Sequence, residues 1–145
     1  MNGWLLDTNM ISAFAPGRHN IPADIAAWFD ARERQLYLSV ISAAEIEAGI
    51  ARLFRTGARR RGDALRTWFD RVVARYGDRV LPFDLPAAHI AGFLTDAAQA
   101  VGRHPGFPDV AIAAIARARD FVVLTINRRH FEPLGVPLFN PFEPS

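Results

Sequence analysis

The sequence predicts an α/β sandwich built around a mostly parallel sheet, and three observations carry that reading. Short apolar runs of strand length alternate with longer segments whose apolar residues recur at helical spacing. Helical sequence, not a tight hairpin, separates the early runs, which permits parallel pairing through right-handed crossovers. The 145 residues, half of them apolar, suit one domain spanning 1–145 with a real core, without internal repeat, linker or low-complexity segment.

Residues 4–6 form the first run, and Asp7, Thr8 and Asn9 follow it as residues able to turn the chain and cap a short helix over 10–14. Pro16 and Gly17 break that helix. Ile25, Trp28 and Phe29 mark a second helix from 22 to about 34, and 36–40 reads as the second strand. A third helix runs from 42 to about 54 with Ile46, Ile50 and Leu53 on one face, and a fourth from about 63 to 76 through Leu65, Trp68, Phe69, Val72 and Val73. The turn between them carries Arg52, Arg55, Arg59, Arg60 and Arg61. Residues 80–83 are a third short strand, and 86–101 a helix with Ile90, Phe93 and Leu94 turned inward. A loop punctuated by Pro105, Gly106 and Pro108 leads to a small-residue helix from 109 to about 118. The strongest strand follows at 121–125, and 136–139 adds an edge strand before a Pro-rich tail.

Composition excludes whole classes of chemistry. All 17 basic residues are arginine, so no lysine is present for a Schiff base, a Walker A phosphate site or Ser-Lys catalysis. No cysteine is present either, which removes thiol nucleophiles, disulfides and Cys-based zinc sites. No run approaches the roughly 18 apolar residues of a membrane span, and an acid at position 7 is unlike a secretory signal. No membrane association is expected, and the cytoplasm is the expected location.

Three acids fall at segment junctions where a parallel α/β topology would gather them. Asp7 ends the first strand, Glu45 sits in the first turn of the helix after the second strand, and Asp109 opens the helix before the strongest late strand. The first two lie past the C-terminal ends of parallel strands, at the crevice edge where open α/β sheets bind ligands. Asp109 reaches that edge only if its helix starts there and runs back against the strand it feeds, as a βαβ unit requires. Each acid also has a structural role open to it. Asp7 can cap a helix, Ser42-Ala43-Ala44-Glu45 fits a capping box, and Asp109 suits a helix N-terminus. Three converging carboxylates raise each other's pKa unless a cation is present. Oxygen-only donors without cysteine or a helical His pair favour Mg²⁺ or Mn²⁺ over zinc, and such an ion suits phosphodiester hydrolysis.

On these residues the chain resembles the PIN-domain nucleases, specifically the VapC/FitB-type toxins of bacterial toxin-antitoxin pairs. Leu6-Asp7-Thr8-Asn9-Met10-Ile11-Ser12 resembles the family's opening LDTNxxS, and Ser42 to Gly49 its S-x-x-E-x-x-x-G. Pro108-Asp109-Val110-Ala111-Ile112-Ala113-Ala114 resembles its D-x-x-I-A-A, and Phe139-Asn140-Pro141-Phe142 the ending of the FitB-like branch. The resemblance implies a PIN-like three-layer sandwich with a five-stranded parallel sheet between helices, metal-dependent endoribonuclease activity, a homodimer, and a cognate VapB-type antitoxin. It implies that Asp7, Glu45 and Asp109 hold the metal, with Thr8 and Thr125 hydroxyls orienting carboxylates.

The family usually supplies a fourth acid after the late strand. Here that segment reads Thr125-Ile126-Asn127-Arg128-Arg129-His130-Phe131, with Asn127 and His130 at the two candidate positions. Asp120 lies at the wrong end of the strand, roughly 16 Å away at about 3.3 Å per residue. Asn127 is therefore expected to face the cleft as a neutral amide, which favours one firmly held metal over two. His130 is read either as a general acid or as a surface residue, and the Arg52 to Arg61 cluster either as an RNA-backbone contact or as a solvated turn or partner contact. Two other functions stay open. A haloacid-dehalogenase-like phosphatase also begins with an Asp after its first strand, but it wants a second Asp where Asn9 stands and a late lysine. A catalytically inactive PIN domain serving as an RNA-binding scaffold takes its support from Asn127.

Overall fold

The computed structural model describes residues 2–18 and 20–143. Its five strands are β1 (Trp4–Leu6), β2 (Leu36–Ser39), β3 (Val80–Leu81), β4 (Val122–Leu124) and β5 (Leu138–Phe139). They form one sheet in the order β3-β2-β1-β4-β5, and every pairing is parallel. The helices among the described residues are α1 (Thr8–Ser12), α2 (Ala23–Ala31), α3 (Val40–Arg55), α4 (Arg59–Tyr76), α5 (Leu85–Ala100), α6 (Phe107–Arg119) and α7 (Arg128–Phe131).

Alternation along the strands makes the sandwich. Leu5 and Val123 point into a core shared with α5 and α6, while Leu6 and Leu124 point into the opposite core, with Met10, Phe29, Ile46, Ile50 and Phe69. A sheet covered on both faces buries Leu5, Leu6, Leu36, Leu38, Leu81, Val123 and Leu124, and each such Leu or Val contributes about 1.5–3 kcal/mol. The small-residue sequence of α6 has the same explanation: Val110 to Ala116 are all buried, so the helix is enclosed nearly all round. On α5 the buried face is Ala87, Ala91, Leu94 and Ala98, and Phe93, expected to turn inward, is exposed with the Arg117 guanidinium over its ring. Phe93 lies one residue, about 100°, off the buried stripe.

Close approach fixes one glycine beside the sheet. A Cβ on Gly3 would stand 2.9 Å from the Tyr37 ring and 3.2 Å from the Gln35 carbonyl, where Tyr37 stacks on Phe121 at 4.6 Å. The C-terminal motif is also structural: Phe139 packs against Trp4 and Trp28, and buried Asn140 accepts a hydrogen bond from the Phe142 amide at 3.0 Å.

Several element boundaries differ from the sequence reading. Helix α3 starts at Val40, because Ser39 is extended and its hydroxyl accepts from the Ser42 amide at 3.1 Å. Ser39 is thus the cap, the Ser42-x-x-Glu45 capping box does not form, and Glu45 lies in the second turn. Helix α4 starts at Arg59, four residues early, since Gly57 at φ +87° closes α3 and leaves only a three-residue connection. Arg59, Arg60 and Arg61 therefore sit in a helical turn. Helix α6 begins at Phe107 with Pro108 in its first turn, where the missing N–H costs nothing, so Asp109 is its third residue.

Candidate active site

Strand β1 is central, and the chain leaves it for β2 and β3 on one side before returning to β4 and β5 on the other. The crevice at such a reversal is where open α/β sheets bind ligands, and Asp7 stands at its floor. Its amide continues the ladder to the Leu124 carbonyl at 2.9 Å, and its carbonyl accepts from Met10 and Ile11. Its side chain accepts from the Thr8 amide at 2.7 Å, so the cap role is real. The other carboxylate oxygen accepts from Thr125 Oγ1 at 2.9 Å, and Thr125 Oγ1 in turn accepts from the Asn127 amide at 2.9 Å. A carboxylate has about four acceptor sites, so two remain open.

Capping alone does not explain the electrostatics of Asp7. Only 5 % exposed, its carboxyl is pushed up to about 6, chiefly by burial, against the two hydrogen bonds and with further upward push from Asp109 and Glu45. Asp109 is raised as well, by burial first, partly countered by His130 and reinforced by Glu45. Asp109 and Glu45 both push Asp7 up, and Glu45 pushes Asp109 up.

Glu45 is held by a run of hydroxyls. Thr8 Oγ1 lies 2.6 Å from Glu45 Oε1 and 2.8 Å from Ser42 Oγ, and Ser42 Oγ lies 3.5 Å from Ser39 Oγ. Each hydroxyl has one proton and the carboxylate can only accept, so Thr8 donates to Glu45 and receives the proton of Ser42. Ser39 and Ser42 are fully buried. The family resemblance implies only Thr8 and Thr125 as supporting hydroxyls, so Ser39 and Ser42 are additions from the structure. The spacing S-x-x-S across a strand-to-helix junction is the available signal.

His130 is exposed, and its Nδ1 lies 3.6 Å from Asp109 Oδ2, so it is a surface histidine at the edge of the acid site. Asn127 is half-buried at the start of α7, and its side-chain amide makes no hydrogen bond among the described residues. Asp120 stands at the opposite end of β4, in the left-handed conformation that closes α6.

A donor set of carboxylates with a single nearby imidazole suits a hard divalent cation. Among the described residues, however, no three His, Asp or Glu side chains are drawn together closely enough to hold an ion. The set thus fits an ion that keeps several waters, as Mg²⁺ does, better than one enclosed by protein alone. An apolar cavity of about 300 Å³ under α1, α2 and α4, lined by Ile11, Phe29, Trp68 and Tyr76, includes none of the three acids.

The model of the PIN domain matches residues 4–134 of this sequence. The chain belongs to the PIN domain family. This PIN domain is 38% identical over 141 residues to the plasmid stability protein StbB of Pseudomonas syringae pv. tomato, covering 96% of this chain and 98% of that one. It is 35% identical to the VapC ribonuclease Y4jK of Sinorhizobium fredii (97% and 99% covered) and 31% to toxin FitB of Neisseria gonorrhoeae (95% and 97%). Among solved structures, the PIN domain superposes on FitAcB from Neisseria gonorrhoeae with a TM-score of 0.82 at 31% identity, covering 97% of this chain and 99% of that one. On the DNA-bound VapBC of Salmonella typhimurium the TM-score is 0.76 at 27% identity, with 97% and 99% covered. The five-stranded parallel sandwich is that of these toxins, and family membership sets the dehalogenase-type alternative aside. No helix among the described residues of the PIN domain is long and apolar enough to cross a membrane.

Proposed function

We propose that this chain is a divalent-metal-dependent endoribonuclease acting as the toxin of a type II toxin-antitoxin pair. The observation that carries the proposal is the buried Asp7 carboxyl, held by Thr125 and the Thr8 amide and raised to about 6 by burial, with Asp109 and Glu45 pushing it further up. A site that unfavourable is understandable when a cation completes it. The relatives named ribonuclease and toxin support the same reading.

Asp7, Glu45 and Asp109 would hold the cation, Mg²⁺ or Mn²⁺, which when bound supplies an acidified water and charge neutralisation at a phosphodiester. Thr125 holds Asp7 Oδ2 and leaves acceptor sites on the carboxylate for the cation. Thr8, backed by Ser42, holds Glu45 Oε1 and leaves Oε2 available. Asn127 offers a neutral amide oxygen at the place of a fourth acid. His130, with Nδ1 toward Asp109, leaves Nε2 to deliver a proton to the leaving oxygen.

The partner is a VapB-type antitoxin, supported by relatives crystallised as FitAB and VapBC complexes. A homodimer is the assembly that the family resemblance implies. The test is cleavage of RNA by purified protein with Mg²⁺, Mn²⁺ or EDTA, beside the Asp7→Asn variant. Metal-dependent cleavage lost in the variant is expected, and undiminished cleavage by Asp7→Asn would sink the assignment. Asn127 in place of an acid favours a second reading, an RNA-binding scaffold without catalysis. RNA binding without cleavage under any of the metals would select it.

A further inference from the structure

We infer that the groove running from Glu45 between α3 and α4 binds the phosphate backbone of a single-stranded RNA next to the acid site, through Arg18, Arg52 and Arg61. This rests on the nuclease reading above and assigns its substrate track. The groove, about 260 Å³, is walled by Thr8, Glu45, Arg18, Arg52 and Arg61 with Trp68 also lining it, so it shares two side chains with the acid site.

Three separate segments deliver the guanidiniums. On α3, Glu45, Gly49 and Arg52 fall at i, i+4 and i+7, one face of the helix, with the backbone positions of the acid and the arginine about 10 Å apart along the axis. Arg61 comes from the first turn of α4, and Arg18 from the loop after α1. That loop passes close to Arg61: a Cβ on Gly17, which has φ +77°, would stand 3.4 Å from Arg61 Nη1.

What sets these arginines apart from the other unpaired ones nearby, Arg55, Arg59, Arg60 and Arg71, is that they line the groove. Arg66 pairs with Glu47 and Asp70, Arg75 with Glu33, and Arg128 with Glu143, whereas Arg18, Arg52 and Arg61 make no ion pair among the described residues. Three like charges facing one groove against a single acid call for an anion from outside. A phosphodiester strand suits both ends, with one phosphate at the cation and its neighbours on guanidiniums, which pair phosphates bidentately.

Fluorescence anisotropy of a labelled oligouridylate, titrated with KCl in EDTA, tests this without catalysis. Each single-strand phosphate that an arginine neutralises adds about 0.7 to the slope of log Kd against log salt, so Arg52→Gln/Arg61→Gln should flatten it by about 1.4. Arg52→Lys/Arg61→Lys should keep the slope. Arg59→Gln/Arg60→Gln, on exposed residues of the same turn that do not line the groove, should leave it unchanged. A parental slope in the Arg52/Arg61 glutamine variant, or an equal loss in the Arg59/Arg60 variant, overturns the assignment. If the parent cleaves RNA with Mn²⁺ in either case, the nuclease reading survives. Unchanged RNA binding with lost affinity for an antitoxin protein gives the groove to that partner and also overturns it. A parent that neither binds nor cleaves RNA brings down both.

Discussion

Replacing Asp7 by asparagine should strengthen the metal-free fold at pH 8 and lose that advantage by pH 5. The folded carboxyl is raised from 3.8 to about 6. Between those values the folded protein holds a proton that the unfolded chain has released, so stability falls as pH rises through this window. Above it the ionised carboxylate costs the fold about 3 kcal/mol. Asparagine removes that cost. Against it, the asparagine oxygen keeps the Thr8 amide bond, but its NH₂ meets Thr125 Oγ1, and the weakened pair costs about 1 kcal/mol. The net gain is about 2 kcal/mol, or about 5 °C in Tm for a chain of this size. At pH 5 only about half the Asp7 cost remains, and the gap closes to within about 0.5 kcal/mol. Urea unfolding in EDTA at pH 5 and pH 8 measures both. An asparagine variant less stable than the parent at pH 8, or a gap independent of pH, would refute the reasoning. Saturating Mn²⁺ or Mg²⁺ should stabilise the parent and not the variant, since only the parent keeps the site.

Three further outcomes follow from the same geometry. Thr125→Val should cost about 2 kcal/mol in urea unfolding, because it removes a fully buried hydroxyl that serves both Asp7 and the Asn127 amide. His130→Ala should raise the pKa of Asp109, read from its carboxyl carbon shift by NMR, because the imidazole that holds it down is gone; a lowered or unmoved value contradicts the pairing. Gly3→Ala should destabilise by about 1–3 kcal/mol in thermal melts, through overpacking against Tyr37 and the Gln35 carbonyl.

The strand positions, the α/β class and the junctions carrying Asp7, Glu45 and Asp109 were legible in the sequence because apolar periodicity and strand length are local properties. Boundaries were less so. Proline at 108 reads as a loop although it belongs to the first turn of α6, and the arginines at 59–61 read as a turn although Gly57 lets α4 begin there. Phe93 shows the other failure, since a helical pattern cannot say which of two adjacent apolar stripes finds a sheet to cover it.

What the sequence determined by itself is the chemistry available: an acid after the first strand, two more at later junctions, arginine as the sole long cation, and no thiol. Tertiary structure alone decided how those groups are used. Crossovers of a parallel sheet put Asp7 within electrostatic reach of Glu45 and Asp109, and Thr125, just past β4 and 118 residues later, holds its carboxylate. Packing of α3 against α4 and the loop after α1 brought Arg18 to Arg52 and Arg61, which no local pattern encodes. The physical reason is range. Strand and helix propensity act over a few residues, whereas burial and charge act through space, and only the folded chain sets those distances.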